Sequence, residues 1–100
     1  MIYITQLIYL NEGEEAVFNE FENMAIPIIA KYNGKLELRI RPSKETIIDS
    51  SIEQPYEVHL VSFLSEEDFE RFKLDAERKK YLHLKEQSVR VSIFIKGMQI

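Results

Sequence analysis

The chain contains no cysteine, which excludes disulfides, thiolate metal sites and a cysteine nucleophile. The absence is compatible with a reducing cytoplasm. Glycine and proline are scarce, three of each in 100 residues, and no stretch has the composition of a flexible linker. There is no repeat of fixed period and no low-complexity tract. Positive charge is in deficit. The net charge is −4 and the pI about 5.2, so the chain has no electrostatic footprint for nucleic acid. The opening MIYITQLIYLNEGEE has no basic n-region, and its apolar run of about ten residues is too short to cross a bilayer. These bounds predict one cytoplasmic domain over residues 1–100. Catalytic signatures are missing too: no G-x-G-x-x-G, no P-loop and no G-x-S-x-G. The two histidines, His59 and His83, stand in no metal-ligand spacing. Neither cofactor nor metal is expected.

What is present is alternation and helical periodicity. Ile2 to Leu10 is strand-like and ends at NEGE. Glu14 to Tyr32 carries an apolar stripe (Val17, Phe18, Phe21, Met24, Ala25, Ile28, Ile29, Tyr32) at helical spacing. Pro27 should kink or split that helix, and Asn33-Gly34 is a left-handed stop. Lys35 to Arg41 alternates as a strand, closed by Pro42. A long connection follows, with Ile47 and Ile48 suggesting a strand extension. Tyr56 to Leu64 is the third strand. Ser65 is an N-cap before three acids, and Asp75 is a cap for a further helix reaching about Glu86. Val89 to Ile95 is the last strand. The order β-α-β-β-α-β predicts an α+β, ferredoxin-like fold. Its four-stranded antiparallel sheet has the order 4-1-3-2, with both helices on one face.

Alternation assigns Ile2, Ile4, Ile8, Leu36, Leu38, Ile40, Val58, Leu60, Val89, Val91, Ile93 and Ile95 to the helix-facing side. The other side then holds Tyr3, Thr5, Leu7, Tyr9, Glu37, Arg39, Arg41, Glu57, His59, Val61, Phe63, Arg90, Ser92 and Phe94. Its apolar members would be an exposed patch in a monomer, and patches of that size mark interfaces. A two-fold homodimer through the open sheet face is therefore expected, with the polar members lining a cavity or hydrated rim.

Two passages resemble a known family. IPIIAKYNGKLELRIRP is similar to a passage of the domain of unknown function 1330 family through Pro27, Ile29, Ala30, Lys31, Tyr32, Gly34 and Arg39. VHLVSFLSEEDFERFKLDAERKKYLHLKE resembles the same family's strand, acidic helix start and D-x-x-R segment, here Asp75 and Arg78. Asn33 stands where the family often has a glycine, and Ser62 where a glutamate is common. The family belongs to the dimeric α+β barrel superfamily, so the resemblance implies that fold and a dimer. It implies no known reaction.

His59 and Glu57, two apart on one strand face with Cα atoms about 6.5–7 Å apart, are the expected catalytic pair. Histidine transfers protons near neutrality, and a neighbouring carboxylate makes it a base or a hydrogen-bond anchor. The alternative is a polar pair bonded across the interface. Arg39 is expected to hold an anion bidentately, or else to pair with Glu37, Glu57 or the partner subunit. Tyr3, Thr5 and Arg90 complete the expected ligand-binding set. Asp75 and Arg78 read as a helix-capping pair, and His83 as a surface or interface residue. The function expected is a homodimer binding, and without a cofactor transforming, a small organic or anionic molecule; the alternative is a non-catalytic interaction or sensor module. RNA binding is disfavoured, because PYEVHLVSF lacks glycine, lysine and arginine and carries Glu57. An acylphosphatase reading fails on the acidic NEGEE loop.

Overall fold

The computed structural model describes residues 1–100. Four strands, β1 (Ile2–Leu10), β2 (Gly34–Ile40), β3 (Glu57–Phe63) and β4 (Val89–Gly97), form one antiparallel sheet in the order β2-β3-β1-β4. This is the expected 4-1-3-2 order read from the other edge. The first helix, α1 (Glu15–Ala25), gives way at Pro27 to a 3₁₀ helix over Ile26–Tyr32. Proline at the start of the 3₁₀ segment has no N–H to lose to the α-ladder, so the chain changes helix type there. Asn33 ends it in the left-handed region at φ 58°. After β3 come α2 (Glu66–Lys73), α3 (Ala76–Lys80) and α4 (Leu82–Ser88). The Asp68 N–H donates to Ser65 Oγ at 3.1 Å, and the Arg78 N–H to Asp75 Oδ1 at 2.8 Å, so both caps act as the sequence suggests. The long connection forms no strand extension. It makes one 3₁₀ turn at Lys44–Thr46 and leaves Ile48 exposed.

The core of Ile4, Ile29, Val61, Phe63 and Phe69 lies between sheet and helices, with Ile2, Tyr32, Leu36 and Phe72 packed around it. Gly34 sits under it. A Cβ there would stand 2.6 Å from both Ile29 Cγ2 and Phe63 Cε1. Gly34→Ala is therefore expected to cost on the order of 1–3 kcal/mol by overpacking. Urea unfolding checks this; an unchanged midpoint would mean that Phe63 yields freely.

The sheet faces differ from the expected assignment on three strands. Ile2 pairs with Phe63 and Ile4 with Val61, so Val61, Phe63, His59 and Glu57 share the helix-facing side with Ile4 and Ile8. Gln6 pairs with Phe94 and Ile8 with Ser92, which brings Phe94 and Ser92 to the same side. Val91, Ile93 and Ile95 consequently face outward with Leu7, Val58 and Leu60. On β2 the cause is a bulge: Leu36 pairs with Val61 and Leu38 with Leu60, leaving Glu37 without a partner. One extra residue flips everything beyond it. Leu36 stays on the core side, Leu38 and Ile40 turn outward, and Arg39 comes alongside His59 on the inner face. Aromatic burial explains the choice on β3: Phe63 and Val61 fill more of the core than Val58 and Leu60 could.

Candidate functional site

Placing Glu57 on the inner face buries a carboxylate completely, and the surrounding residues answer that cost. Arg39 Nε donates to Glu57 Oε2 at 2.8 Å, and Arg41 Nε donates to Oε1 at 2.8 Å. His59 Nε2 also bonds Oε2. Burial pushes the Glu57 carboxyl up, but the bonds from His59, Arg39 and Arg41 together outweigh it and hold it at about 2. At neutral pH Glu57 is thus a pure acceptor. Because an ionised carboxylate can only accept, His59 Nε2 is the donor of their shared bond, and Nδ1 is left as the ring's other nitrogen. The imidazole is almost wholly buried against Phe18, with ring centroids 6.5 Å apart.

His59 forms part of the wall of a cavity of about 290 Å3 between the sheet and the helices. Ten of its sixteen lining residues are hydrophobic, so its body is apolar, chiefly the rings of Phe21, Phe63, Phe69, Phe72 and Phe94. Polar groups converge on it from three elements: Glu22 of α1, Arg78 of α3 and Lys85 of α4, with Gln6 and His59 from the sheet. A small apolar void with a few placed polar groups is the usual make-up of a ligand site. Burial raises the Glu22 carboxyl from its ordinary value, against the lowering pull of His59 and Arg39. Burial likewise lowers Arg78 and Lys85, Lys85 further by the charge of Arg78. The Arg78 guanidinium lies over the Phe72 ring at 5.0 Å and the Phe21 ring at 5.9 Å, and its Nε is buried without a hydrogen-bond partner.

Known structures share this frame. The chain superposes on RPA0582, a protein of unknown function from Rhodopseudomonas palustris, with TM-score 0.84, 14% identity and coverage of 99% of this chain and 82% of that one. Atu4242 from Agrobacterium tumefaciens, a NIPSNAP family protein of unknown function, gives TM-score 0.71, 20% identity and coverage of 100% and 94%. A protein from Nitrosomonas europaea, proposed to be an antibiotic biosynthesis monooxygenase, gives 0.74, 10% identity and coverage of 100% and 99%. At these identities the likeness is one of fold. No family model and no curated protein matches the sequence.

Of the residues expected from the sequence, His59, Glu57 and Arg39 come together, on the inner face rather than the open one. Arg39 is occupied by Glu57. Tyr3 and Thr5 lie on the opposite side of the sheet: Tyr3 donates to Gln99 at 3.3 Å, and Thr5 pairs with Leu60 and Ile95. Arg90 is held by Glu53 at 2.6 and 2.8 Å. His83 is exposed on α4. Asp75 is indeed a cap and accepts from the Tyr32 hydroxyl at 2.6 Å, but Arg78 sends its guanidinium into the cavity wall. Glu22 and Lys85 were not singled out from the sequence. A signal existed for Glu22: it sits between Phe18 and Ala25 at helical spacing, a carboxylate inside an apolar stripe. No group of three His, Asp or Glu side chains is placed to hold a metal ion.

Proposed function

We propose that the chain is a homodimer of the α+β barrel type that binds a small organic anion in the cavity between its sheet and helices. The carrying observation is the pair Arg78 and Lys85: both line an aromatic void, and neither takes part in an ion pair, although eight such pairs form elsewhere. Half-buried cations without partners carry a desolvation cost, and an anionic ligand relieves it. Burial of the ligand's apolar body against the phenylalanines supplies affinity, at about 25 cal/mol per Å2. A module with a filled interior and no ligand is disfavoured by the void itself. Likeness to the domain of unknown function 1330 family, carried by the Pro27 to Arg39 passage, agrees with the dimer and leaves the ligand open.

The test is a thermal-shift screen of aromatic acids. Ligand at a hundredfold over Kd stabilises by about 2.7 kcal/mol, a rise of several degrees in Tm for a domain of this size. Arg78→Met is expected to remove the rise. No shift with any aromatic acid at millimolar concentration would sink the proposal.

His59 favours a second reading, in which the bound molecule loses a proton to Nδ1. Glu57 orients the ring and stabilises the imidazolium formed, the usual arrangement for a general base. The check is deuterium exchange from solvent into an acidic C–H of a bound ligand. Exchange no faster than in buffer, or unaffected by His59→Gln, leaves His59 a structural partner of Glu57.

A further inference from the structure

The cavity does not end at Arg78. A second, wider space of about 480 Å3 lies outside it, between α3, α4 and the start of β4, and the two share Lys73, Arg78 and Lys85. Their chemistries contrast. The inner space is walled mostly by apolar side chains; the outer one carries Lys73, Arg78, Lys85 and Arg90 against one acid, Glu86. This is a concentrated positive surface on a chain of net charge −4. Lys73 and Arg90 have exposed partners in Glu70 and Glu53. Arg78 and Lys85, at the junction, have none.

The geometry points to a phosphate monoester with an aromatic or apolar body as the ligand class, its body in the inner cavity and its phosphate at the junction on Arg78 and Lys85. This rests on the ligand reading above and narrows it. Arg78 shows how the head group is held. The peptide N–H of Arg78 is committed to Asp75, and its Nη1 donates to the Lys73 carbonyl at 3.3 Å. The edge formed by Nε and Nη2 makes no bond in the protein, and Nε is buried there. That edge is the fork that meets two oxygens of one oxyanion side by side. Its Cζ lies over the rings of Phe72 and Phe21, at 5.0 and 5.9 Å, and these two contacts restrict where the guanidinium can move. Lys85 adds a point charge next to the fork. Glu22 of the inner wall is the one carboxylate that lines the cavity with them, and it forms an ion pair with neither; two such cations are matched by a dianion, whereas a monoanion leaves one of them without a contact partner in a partly dry site. A phosphate monoester is mostly dianionic above its second pKa of about 6.

Isothermal titration of the full chain at pH 8 with phenyl phosphate and phenyl sulfate tests this. The two share a ring and a tetrahedral head and differ in charge. Phenyl phosphate is expected to bind at least about tenfold more tightly, with inorganic phosphate alone weaker than either. Lys85→Gln should remove the preference while keeping phenyl sulfate binding. Arg78→Lys, which keeps the charge and loses the fork, should weaken both esters. Equal binding of the two esters, or a preference unaltered in both variants, overturns the phosphate assignment while leaving a general anion site standing. Failure of every aromatic anion to bind would overturn the site itself.

Discussion

Glu57→Gln is expected to destabilise the fold by about 3 kcal/mol, toward the lower end of the 3–5 kcal/mol that follows from breaking a buried ionic cluster. The glutamine keeps the shape and one acceptor oxygen. It removes the negative charge that Arg39, Arg41 and His59 all address, and it turns an amide N–H2 toward donors. The loss falls short of the maximum because half of the Arg41 side chain and about a quarter of Arg39 is already exposed and can rehydrate. His59, 4% exposed, has no such escape. Against a total of about 5–15 kcal/mol for a domain, 3 is a large share. The same carboxyl makes stability depend on acid. It is held at about 2 when folded, against an ordinary 4.5. A depressed folded value means that the stabilisation is fully present above pH 4.5 or so and is lost as pH falls toward 2. Integrated, it amounts again to about 3 kcal/mol. Urea midpoints measured from pH 7 to pH 2.5 should fall more steeply for the natural chain than for Glu57→Gln. Parallel curves from the same starting midpoint would show that the cluster contributes nothing net.

This cluster also shows where the sequence stopped being legible. Element order, the break at Pro27, the left-handed stop at Asn33 and both caps follow from local chemistry, and local chemistry is printed in the chain. Which face of β3 turns inward is not local. Val58 and Leu60 suit a core as well as Val61 and Phe63 do, so alternation gives the period and leaves the phase open. A carboxylate and an imidazole on one face would by themselves favour turning that face outward. Here they do not, because Arg39 and Arg41 supply the missing charge, and these reach it only through the bulge at Glu37, which no residue type announces. The site followed the same rule. Glu22 and Lys85 are ordinary helix residues until the sheet opposite them is placed. The cavity they share with His59 depends on long-range register and not on spacing along one helix.

The corrected phase moves the expected dimer interface onto different side chains and makes it more apolar. The outward face now carries Leu7, Leu38, Ile40, Val58, Leu60, Val91, Ile93 and Ile95, with Leu38 46% and Ile95 52% exposed. Glu57, His59, Arg39 and Arg41 are gone from it, so fewer charges need desolvation on association. Leu60 lies near its middle, on a central strand between Thr5 of β1 and Leu38 of β2. Leu60→Glu is therefore expected to weaken self-association by a hundredfold or more, about 3 kcal/mol, because it forces a carboxylate into an apolar contact without a partner. Light scattering at micromolar concentration should give about twice 11.9 kDa for the natural chain and 11.9 kDa for the variant. Leu64→Glu, at an exposed position beyond the end of β3, should leave the mass unchanged. The variant should also fold, since Leu60 points away from the Phe63 core. The cavity lies on the helix side of one chain, so under the proposed function the Leu60→Glu monomer is expected to bind aromatic anions as tightly as the natural chain. A natural chain that scatters as a monomer would remove the interface. A monomeric variant that had lost ligand binding would instead show that pairing of the sheets holds the cavity in shape.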